Sequence, residues 1–470
     1  MTRSLFLRFV LVALLAPLLS ACSLAPDYLR PELPVPAAIV ETGTAEQAPR
    51  LADWREFFKD PRLREFISAS LERNRDLRLA VLAVAEARAR YGVQNAERFP
   101  MLDAQGSGAY SGKFQPPSEN RNYESAAMAT FAPDLFGRLG NMSEAALQAY
   151  LATKEAAKAA QIVLVSEVAR EYLAERLAAE GRQLALDALK SRRDSYAFVE
   201  RRVQSGQSSL LDLEQARSMV AAASAVLAQR EREVIQADNA LQFFSGGFKL
   251  RDLPPAVPLV EQRLADLPLN VSSLVLLERP EIMEAEHKLR AANADIGAAR
   301  AAFFPSISLT GNLGYMSADL SQLVAGASGF WSFLPRITLP IFAGGRNAAN
   351  LELAEIRKES SIVQYEKSIQ SAFREVADAL RGRKFFAEQY AAQRDYLASQ
   401  RLVLDLAMSR YVNGSVSYLE VLDAQRNVFQ SELDLLGIRR DQLLNEISLY
   451  SALGGGLAAF GRSAQAARGF

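Results

Sequence analysis

Cysteine and histidine are almost missing from this sequence, which has one of each among its 470 residues. A lone thiol cannot form a disulfide within the chain, and a lone histidine cannot build a His-based metal cluster or a histidine relay. The 54 basic residues balance the 54 acidic residues, so the sequence lacks the excess positive charge that indicates nucleic-acid binding. We therefore expect that the protein is not an enzyme, that it uses no cofactor and that it does not bind nucleic acid.

Proline does not occur after Pro340. Without a proline to break it, a helix from about Ala343 to about Val412 can run for roughly 70 residues, or about 105 Å at 1.5 Å per residue. The alternative is that unrecognised kinks divide it into ordinary bundle lengths. Apolar residues recur at every seventh position, the spacing of supercoiled helices. They include Leu213, Val220, Leu227, Val234 and Leu241, and later Leu422, Phe429, Leu436, Leu443 and Tyr450.

The beginning of the sequence has the three-part layout of an export signal. Arg3 and Arg8 precede an apolar run to Leu19, and small residues follow. The stretch Leu19-Ser20-Ala21-Cys22 also resembles a bacterial lipobox, which predicts a mature chain that starts at Cys22 and carries diacylglycerol and an N-acyl chain such as palmitate on it. An ordinary signal whose cleavage site happens to end in cysteine is the alternative.

The sequence contains an internal duplication. The segment "RRVQSGQSSLLDLEQARS" at 201–218 parallels "SRYVNGSVSYLEVLDAQR" at 409–426, so Gly206 aligns with Gly414, 208 positions later. Phe-Pro pairs also recur, at 99–100 and 304–305. Two copies of a unit that runs helix, strand, strand, helix, helix are expected. The predicted organisation is a signal peptide (1–21), a lipidated N-terminal segment with equatorial contacts (22–60), a first repeat (61–245), a linker and equatorial region (246–280), a second repeat (281–453) and a C-terminal tail (454–470).

Each copy contains a predicted pair of strands, at about 101–134 and about 306–342. In "SISLTGNLGYM" at 306–316, the apolar residues Ile307, Leu309, Leu313 and Tyr315 alternate with polar ones. In "FWSFLPRITLPIF" at 330–342, Phe333, Ile337, Leu339 and Ile341 share one face and Arg336 and Thr338 the other. Such alternation is typical of transmembrane barrel strands, although half-buried strands of soluble sheets have the same pattern.

Four strands cannot close a barrel, and an open sheet edge in lipid leaves backbone groups without hydrogen-bond partners. A membrane reading therefore requires identical chains to share one cylinder. Three chains give a twelve-stranded β-barrel, and the same symmetry joins their long helices into a helical tube.

Four stretches together resemble the TolC and OprM type of outer-membrane efflux protein: Cys22 with "APDYLRP" at 25–31, "WREFFKDPRL" at 54–63, the Phe-Pro pair before each strand pair, and "YLEVLDAQR" at 418–426. The resemblance covers nearly the whole chain. It implies a membrane α+β fold: a lipid-anchored homotrimer with a twelve-stranded β-barrel in the outer membrane, a long α-helical barrel through the periplasm and an equatorial collar. It also implies a passive exit duct that works with a periplasmic adaptor protein and an inner-membrane pump of the resistance-nodulation-division class.

The resemblance assigns roles to residues beside the two helix turns. Gly206 and Gly414 would mark the turns that the adaptor contacts, and Asp212, Glu420 and Asp423 would line a narrow periplasmic aperture. Beside Glu420 and Asp423, Tyr411 would bond a neighbouring acid and Leu419 would supply an apolar collar. Some relatives carry a basic latch just after the glycine, where this chain has Ser415, Val416 and Ser417. The residue that replaces it is left open between Arg410, Arg217 and Arg426.

Other readings stay open at this point. The paired acids could serve only the helix dipole and solubility. The duct could belong to a type I protein secretion system, or the chain could be a periplasmic coiled-coil lipoprotein without a pore. The cargo is not specified, because eight methionines and one histidine offer little to select a soft metal ion, and small amphiphilic molecules are the default expectation.

Overall fold

The computed structural model describes residues 23–37, 39, 52–115, 117–247, 252–268 and 271–455. The predicted signal peptide 1–21, the lipidation site Cys22 and residues 456–470 of the predicted tail lie outside the described residues.

The described chain consists of helices joined to a small antiparallel sheet. Short 3₁₀ turns lie at Leu259–Glu261, Ser273–Glu278, Leu320–Gln322 and Gly326–Ser328. The helices and strands are α1 (Trp54–Phe57), α2 (Pro61–Arg73), α3 (Arg75–Ala96), β1 (Met101–Phe114), β2 (Pro117–Phe131), α4 (Arg138–Gln204), α5 (Leu210–Phe244), α6 (Pro280–Ala301), β3 (Ser306–Ser317), β4 (Gly329–Thr338), α7 (Arg346–Val412) and α8 (Tyr418–Ala452).

The two halves of the chain contain matching helices. The helix before each strand pair, α3 or α6, has 22 residues. The helix after each strand pair, α4 or α7, has 67 residues and is continuous, and the helix that follows, α5 or α8, has 35 residues. At 1.5 Å per residue, the 67-residue helices are each about 100 Å long. No helix of the described residues has both the length and the apolar character needed to cross a membrane.

The four strands form one sheet in the order β1-β2-β3-β4, and each adjacent pair is antiparallel. Residues that pair across strands share a face of the sheet. Leu313 pairs with Ala127 on one side and with Trp331 on the other, on an apolar face, whereas Ser308 pairs with Arg336 on the polar face. The alternation predicted for the second strand pair is therefore present in the register.

The strand ends differ from those expected. β4 ends at Thr338, before the end of the predicted segment at 342, so Leu339 and Ile341 lie beyond the sheet. Thr338 pairs with Ser306, which is the first residue of β3, so within the described chain β4 has no partner strand beyond that point. Within the sheet, a Cβ at Gly314 would lie 2.2 Å from the Ser125 carbonyl oxygen, so only glycine allows β2 and β3 to approach this closely.

The chain folds into two compact units. One unit contains residues 23–32, 82–155 and 283–367, with the whole sheet, and the other contains the remaining described residues. Each unit takes segments from both halves of the sequence. The predicted repeat boundaries, 61–245 and 281–453, describe the sequence duplication and stay a prediction.

In the unit that contains the sheet, the segment after Cys22 packs against α6. Asn293 donates to the Pro26 carbonyl at 2.7 Å, and a Cβ at Gly297 would lie 2.7 Å from the Ala25 nitrogen. Arg30 makes two hydrogen bonds to the buried Glu286, at 3.1 and 2.7 Å. Burial opposes the charge of Glu286, but Arg30 and Arg290, the latter on α6, hold the pKa of Glu286 below the ordinary value.

In the other unit, a buried carboxylate joins the start of α2 to α4 and to the connector at 252–268. Asp60 accepts hydrogen bonds from Tyr172 and Gln262, both at 2.6 Å, and from the Arg62 backbone nitrogen at 2.8 Å. Burial, together with the bond to Asp60, raises the pKa of Tyr172. Arg439 of α8 donates to the Gln262 carbonyl at 2.7 Å, so a charged side chain of α8 also holds the connector in place.

Candidate functional site

The two connections between long and short helices have the same backbone geometry. Gly206 and Gly414 have φ values of +74° and +71°, a region that favours glycine. In the first turn, the nitrogens of Gly206 and Gln207 donate to the carbonyls of Val203 and Arg202, at 3.0 and 2.7 Å. The second turn repeats both bonds, at 3.0 and 2.9 Å from Gly414 and its successor. This pair of bonds is the Schellman motif, which ends α4 and α7 abruptly.

An apolar cluster beneath these turns packs the four helices α4, α5, α7 and α8 together. Tyr418 and Tyr411 lie inside it, with ring centroids 5.1 Å apart, and Phe198 meets Tyr411 edge to face at 6.5 Å. Burial raises the pKa of Tyr418. The buried members of the cluster are Val199, Ala216, Ala407, Tyr411, Tyr418, Val421, Leu422 and Ala424.

The first turn leads into α5 through a complete capping box. The Ser209 hydroxyl oxygen accepts from the Asp212 nitrogen, and the Asp212 carboxylate accepts from the Ser209 nitrogen, both at 3.1 Å. The Ser208 hydroxyl lies 2.8 Å from the Asp212 Oδ2, to which it donates, and 3.2 Å from the Tyr411 hydroxyl. Partial burial opposes the charge of Asp212, yet the hydrogen bonds from Ser208 and Ser209 hold its pKa below the ordinary value.

The second turn starts α8 in a different way. Ser417 occupies the N-cap position, but its side chain makes no capping hydrogen bond. Glu420, which aligns with Asp212, lies 3.9 Å from Arg410 in an ion pair whose two side chains are more than half exposed. Asp423 pairs with Arg426 at 2.7 Å, one turn along the same helix.

The structure brings some of the predicted aperture residues together. Tyr411 and Asp212 share one hydrogen-bond network, with Ser208 between them. Leu419 is 52% exposed at the start of α8, as an apolar collar requires. The three candidate latches differ: Arg410 and Arg426 hold Glu420 and Asp423, whereas Arg217 lies 3.7 Å from an acid of its own helix, Glu214. Whether these groups line an aperture remains a prediction.

Sequence reasoning missed two residues that connect the turns. Ser208 is the bridge between Asp212 and Tyr411, and serine before an N-cap serine gives no distinct signal. Arg202 contacts both turns, because it donates to the carbonyls of Gln207 and Val412, each at 3.4 Å. The duplication could have identified Arg202, since it aligns with Arg410, which was considered as a latch.

Comparison with protein families gives one match that covers most of the chain. The profile described as outer membrane efflux protein matches residues 66–247 and 271–455. The two matched segments begin and end at similar points of the two halves.

Two curated relatives and one solved structure are similar over almost their full lengths. The cation efflux system protein CusC of Escherichia coli strain K12 is 48% identical over 445 residues, which cover 93% of this chain and 97% of CusC. The probable outer membrane lipoprotein SilC of Salmonella typhimurium is 44% identical over 446 residues, or 93% of this chain and 96% of SilC. A crystal structure of CusC, described in terms of folding and transmembrane channel formation, superposes with a TM-score of 0.86 at 48% identity and covers 93% of this chain and 100% of that one.

Proposed function

Because the chain belongs to the outer membrane efflux protein family, we propose that three copies of it form the passive exit duct of a tripartite efflux pump. In this assembly a periplasmic adaptor contacts the turns at Gly206 and Gly414, and an inner-membrane pump of the resistance-nodulation-division class supplies the energy. The duct itself needs no catalytic residue, because its task is to enclose a water-filled path through the outer membrane.

The two faces of the sheet carry this proposal. One face is apolar, with Trp331, Phe333 and Ile337 on β4 each more than half exposed. The opposite face presents polar residues such as Ser308 and Arg336. In a barrel, the first face suits lipid and the second suits a water-filled interior.

The sheet edges support a trimer. Strands β1 and β4 are the outer strands of the sheet, so each has one side that no other strand of the described chain pairs with. In hydrocarbon, each backbone group left unpaired along such an edge costs several kcal/mol. Pairing β4 of one chain with β1 of the next removes every edge when the ring closes, and three chains give twelve strands. The matched helix lengths of 22, 67 and 35 residues in both halves support the proposed tandem repeat.

The proposed gate is the ring of acids that a trimer would assemble at the turns. Threefold symmetry repeats Asp212, Glu420 and Asp423 around one axis. At an effective dielectric constant of about 20, two like charges about 6 Å apart repel by roughly 3 kcal/mol. Closure therefore needs compensation, which Arg410 and Arg426 supply to Glu420 and Asp423. Docking of the adaptor would separate the turns and open the ring.

Single-channel recording in planar bilayers tests both the duct and the gate. The purified full-length protein is expected to form trimers that resist dissociation and that conduct poorly at rest. The double variant Asp423→Ala with Tyr411→Phe is expected to differ from the wild type in conductance, because it removes Asp423 together with its pair to Arg426 and breaks the bond between Tyr411 and Ser208. A protein that forms no pore would contradict the duct, and an unchanged conductance in the double variant would contradict the gate assignment.

Lipidation at Cys22 is part of the proposal. The relative SilC is named a probable lipoprotein, and the sequence Leu19-Ser20-Ala21-Cys22 resembles a lipobox. Cells that express the protein with labelled palmitate are expected to incorporate the label, whereas the Cys22→Ser variant should not. Label in the Cys22→Ser variant would place the acyl chain elsewhere.

Two cargo classes follow from different observations. The sequence favours small amphiphilic molecules, and the similarity to CusC, named for cation efflux, favours metal cations. Expression in bacteria that lack their own duct separates the two: growth is restored either on toxic metal cations or on organic solvents. Rescue on solvents alone would rule out the cation assignment.

A further inference from the structure

Arg202 lies in the last turn of α4, where the ends of the two 67-residue helices meet. Its Nη2 donates to the Gln207 carbonyl in the first turn, and its Nη1 donates to the Val412 carbonyl. Val412 is the last residue of α7, so its carbonyl is one of those that a helix leaves without an internal partner. One side chain therefore serves both turns.

Two aromatic rings enclose the guanidinium group. Its central carbon lies 5.3 Å from the ring centroid of Tyr411 and 5.8 Å from that of Phe198, within the range of cation–π attraction. The Nε of Arg202 is buried and has no hydrogen-bond partner among the described residues. The guanidinium is thus partly removed from water, which strengthens its attraction to the carbonyls and to the rings.

The charge of Arg202 suits this position. Each helix carries a partial negative charge at its C-terminal end, and α4 and α7 bring two such ends together. A cation between them offsets their repulsion. Asp212, at the start of α5, adds a further attraction to Arg202.

We propose that Arg202 is a positioning residue of the gate, which ties the two turns of one chain into a single body. This inference rests on the proposed function, because it assumes that the turns surround the aperture. Without Arg202, the two turns of each chain separate and the ring of acids closes less completely.

The duplication explains why Arg202, and not its counterpart, has this role. Arg410 occupies the aligned position in the second copy, but its side chain is 61% exposed and pairs with Glu420. One turn before Arg202 the chain has Phe198, whereas one turn before Arg410 it has Leu406. Among the described residues, rings lie against the guanidinium group of Arg202 and not against that of Arg410.

Three variants of the full-length protein test the proposal. Arg202→Gln removes the charge and most of the donors, Arg202→Lys keeps the charge but not the planar fork, and Arg217→Gln removes one charge from an exposed side chain that pairs within its own helix. In planar bilayers, Arg202→Gln is expected to raise the ratio of open to closed time about tenfold. Arg202→Lys is expected to give an intermediate increase, and Arg217→Gln less than about a twofold change.

Hydrogen exchange supplies a readout that does not depend on conduction. In Arg202→Gln, the backbone amides of both turns, 205–209 and 413–417, are expected to exchange faster than in the wild type, whereas Arg217→Gln leaves them unchanged. Faster exchange in the first turn alone would overturn the proposal, as would equal effects of Arg202→Gln and Arg217→Gln. If Arg202→Gln does not assemble, the Arg202→Lys variant decides by the same criteria. A wild type that forms no pore would contradict the proposed function. The exchange data would still show whether Arg202 holds both turns in place.

Discussion

The two helix turns descend from similar sequences, yet they begin the next helix by different means. In the first turn, Ser208, Ser209 and Asp212 form a closed set of hydrogen bonds. In the second turn, the aligned residues are Val416, Ser417 and Glu420. Val416 packs against the apolar cluster instead of bonding, and Glu420 pairs with Arg410 outside the turn.

The difference shows how one backbone can be stabilised in two ways. Both turns end the preceding helix with the same Schellman bonds, because a glycine with positive φ occupies the same position in each. After that point, a single change from serine to valine replaces a polar contact by apolar burial. The longer side chain of Glu420 pairs with Arg410 at the end of α7. The first turn is therefore fixed by local bonds, and the second by packing and by an exposed ion pair.

Removal of the two aligned acids should produce the largest difference in stability between the two turns. We expect Asp212→Ala to lower the local stability of the first turn by about 2 kcal/mol, because it breaks the capping box and the bond from Ser208. Glu420→Ala should cost about 0.5 kcal/mol or less, because its ion pair is exposed. Hydrogen exchange of the first amides of α5 and α8 measures both. Glu214→Ala, an exposed acid beside the first turn, is the matched control, and equal losses for Asp212 and Glu420 would abolish the contrast.

Substitution of the two glycines should, by contrast, affect both turns equally. A Cβ at Gly206 or Gly414 would meet no atom of the described residues within 4 Å, so we assign the cost of Gly206→Ala or Gly414→Ala to the positive φ. We expect about 1 kcal/mol at each site, seen as faster exchange in the altered turn. Gly437→Ala is the control, since it lies within α8 with open space around it and should be neutral or stabilising. A large effect at only one glycine would mean that the turns differ in backbone as well.

Substitution of the N-cap serines should also affect the two turns differently, but by a smaller amount. Ser209→Ala is expected to cost about 1 kcal/mol, because it removes the bond to the Asp212 nitrogen. Ser417→Ala is expected to cost close to nothing, because its side chain makes no capping bond. The same exchange experiment compares them. A clear loss in Ser417→Ala would show that its hydroxyl caps α8 in solution.

Acid should weaken the first turn, with the smallest effect of the four. The pKa of Asp212 is lower in the folded chain, so the folded state favours its ionised form. Its contribution is full above the unfolded pKa of about 4 and disappears as the pH falls through the lower folded value. The difference in guanidinium midpoint between the wild type and Asp212→Asn should therefore be present at pH 7 and vanish in strong acid. A difference that persists there would assign it to another cause.

Local patterns made much of the fold predictable. The absence of proline after Pro340 and the seven-residue spacing indicated long helices, and the structure has an unbroken α7 of 67 residues. Gly206 and Gly414 indicated the turns because positive φ favours glycine. The alternation around Leu313 indicated which residues share a sheet face. Each of these signals depends on neighbours along the chain.

Contacts between distant segments were not predictable in the same way. The bond from Arg202 to Val412 joins residues 210 positions apart, and the bridge from Ser208 to Tyr411 joins residues 203 apart. The duplication aligns Arg202 with Arg410, but it does not indicate which carbonyl groups Arg202 reaches. The unequal use of Asp212 and Glu420 was also hidden, because both fit the capping-box pattern. Only the packed helices determine which side chain finds a partner.

The equal length of α4 and α7 restricts how such a chain can evolve. A residue inserted into either helix would advance everything beyond it by 1.5 Å and rotate it by about 100°. Arg202 would then face away from the end of α7, and the two turns would finish at different heights. Insertions and deletions can therefore survive only in pairs, one in each helix, or in multiples that restore the phase. We expect homologous proteins with longer or shorter helices to have changed both helices by the same number of residues.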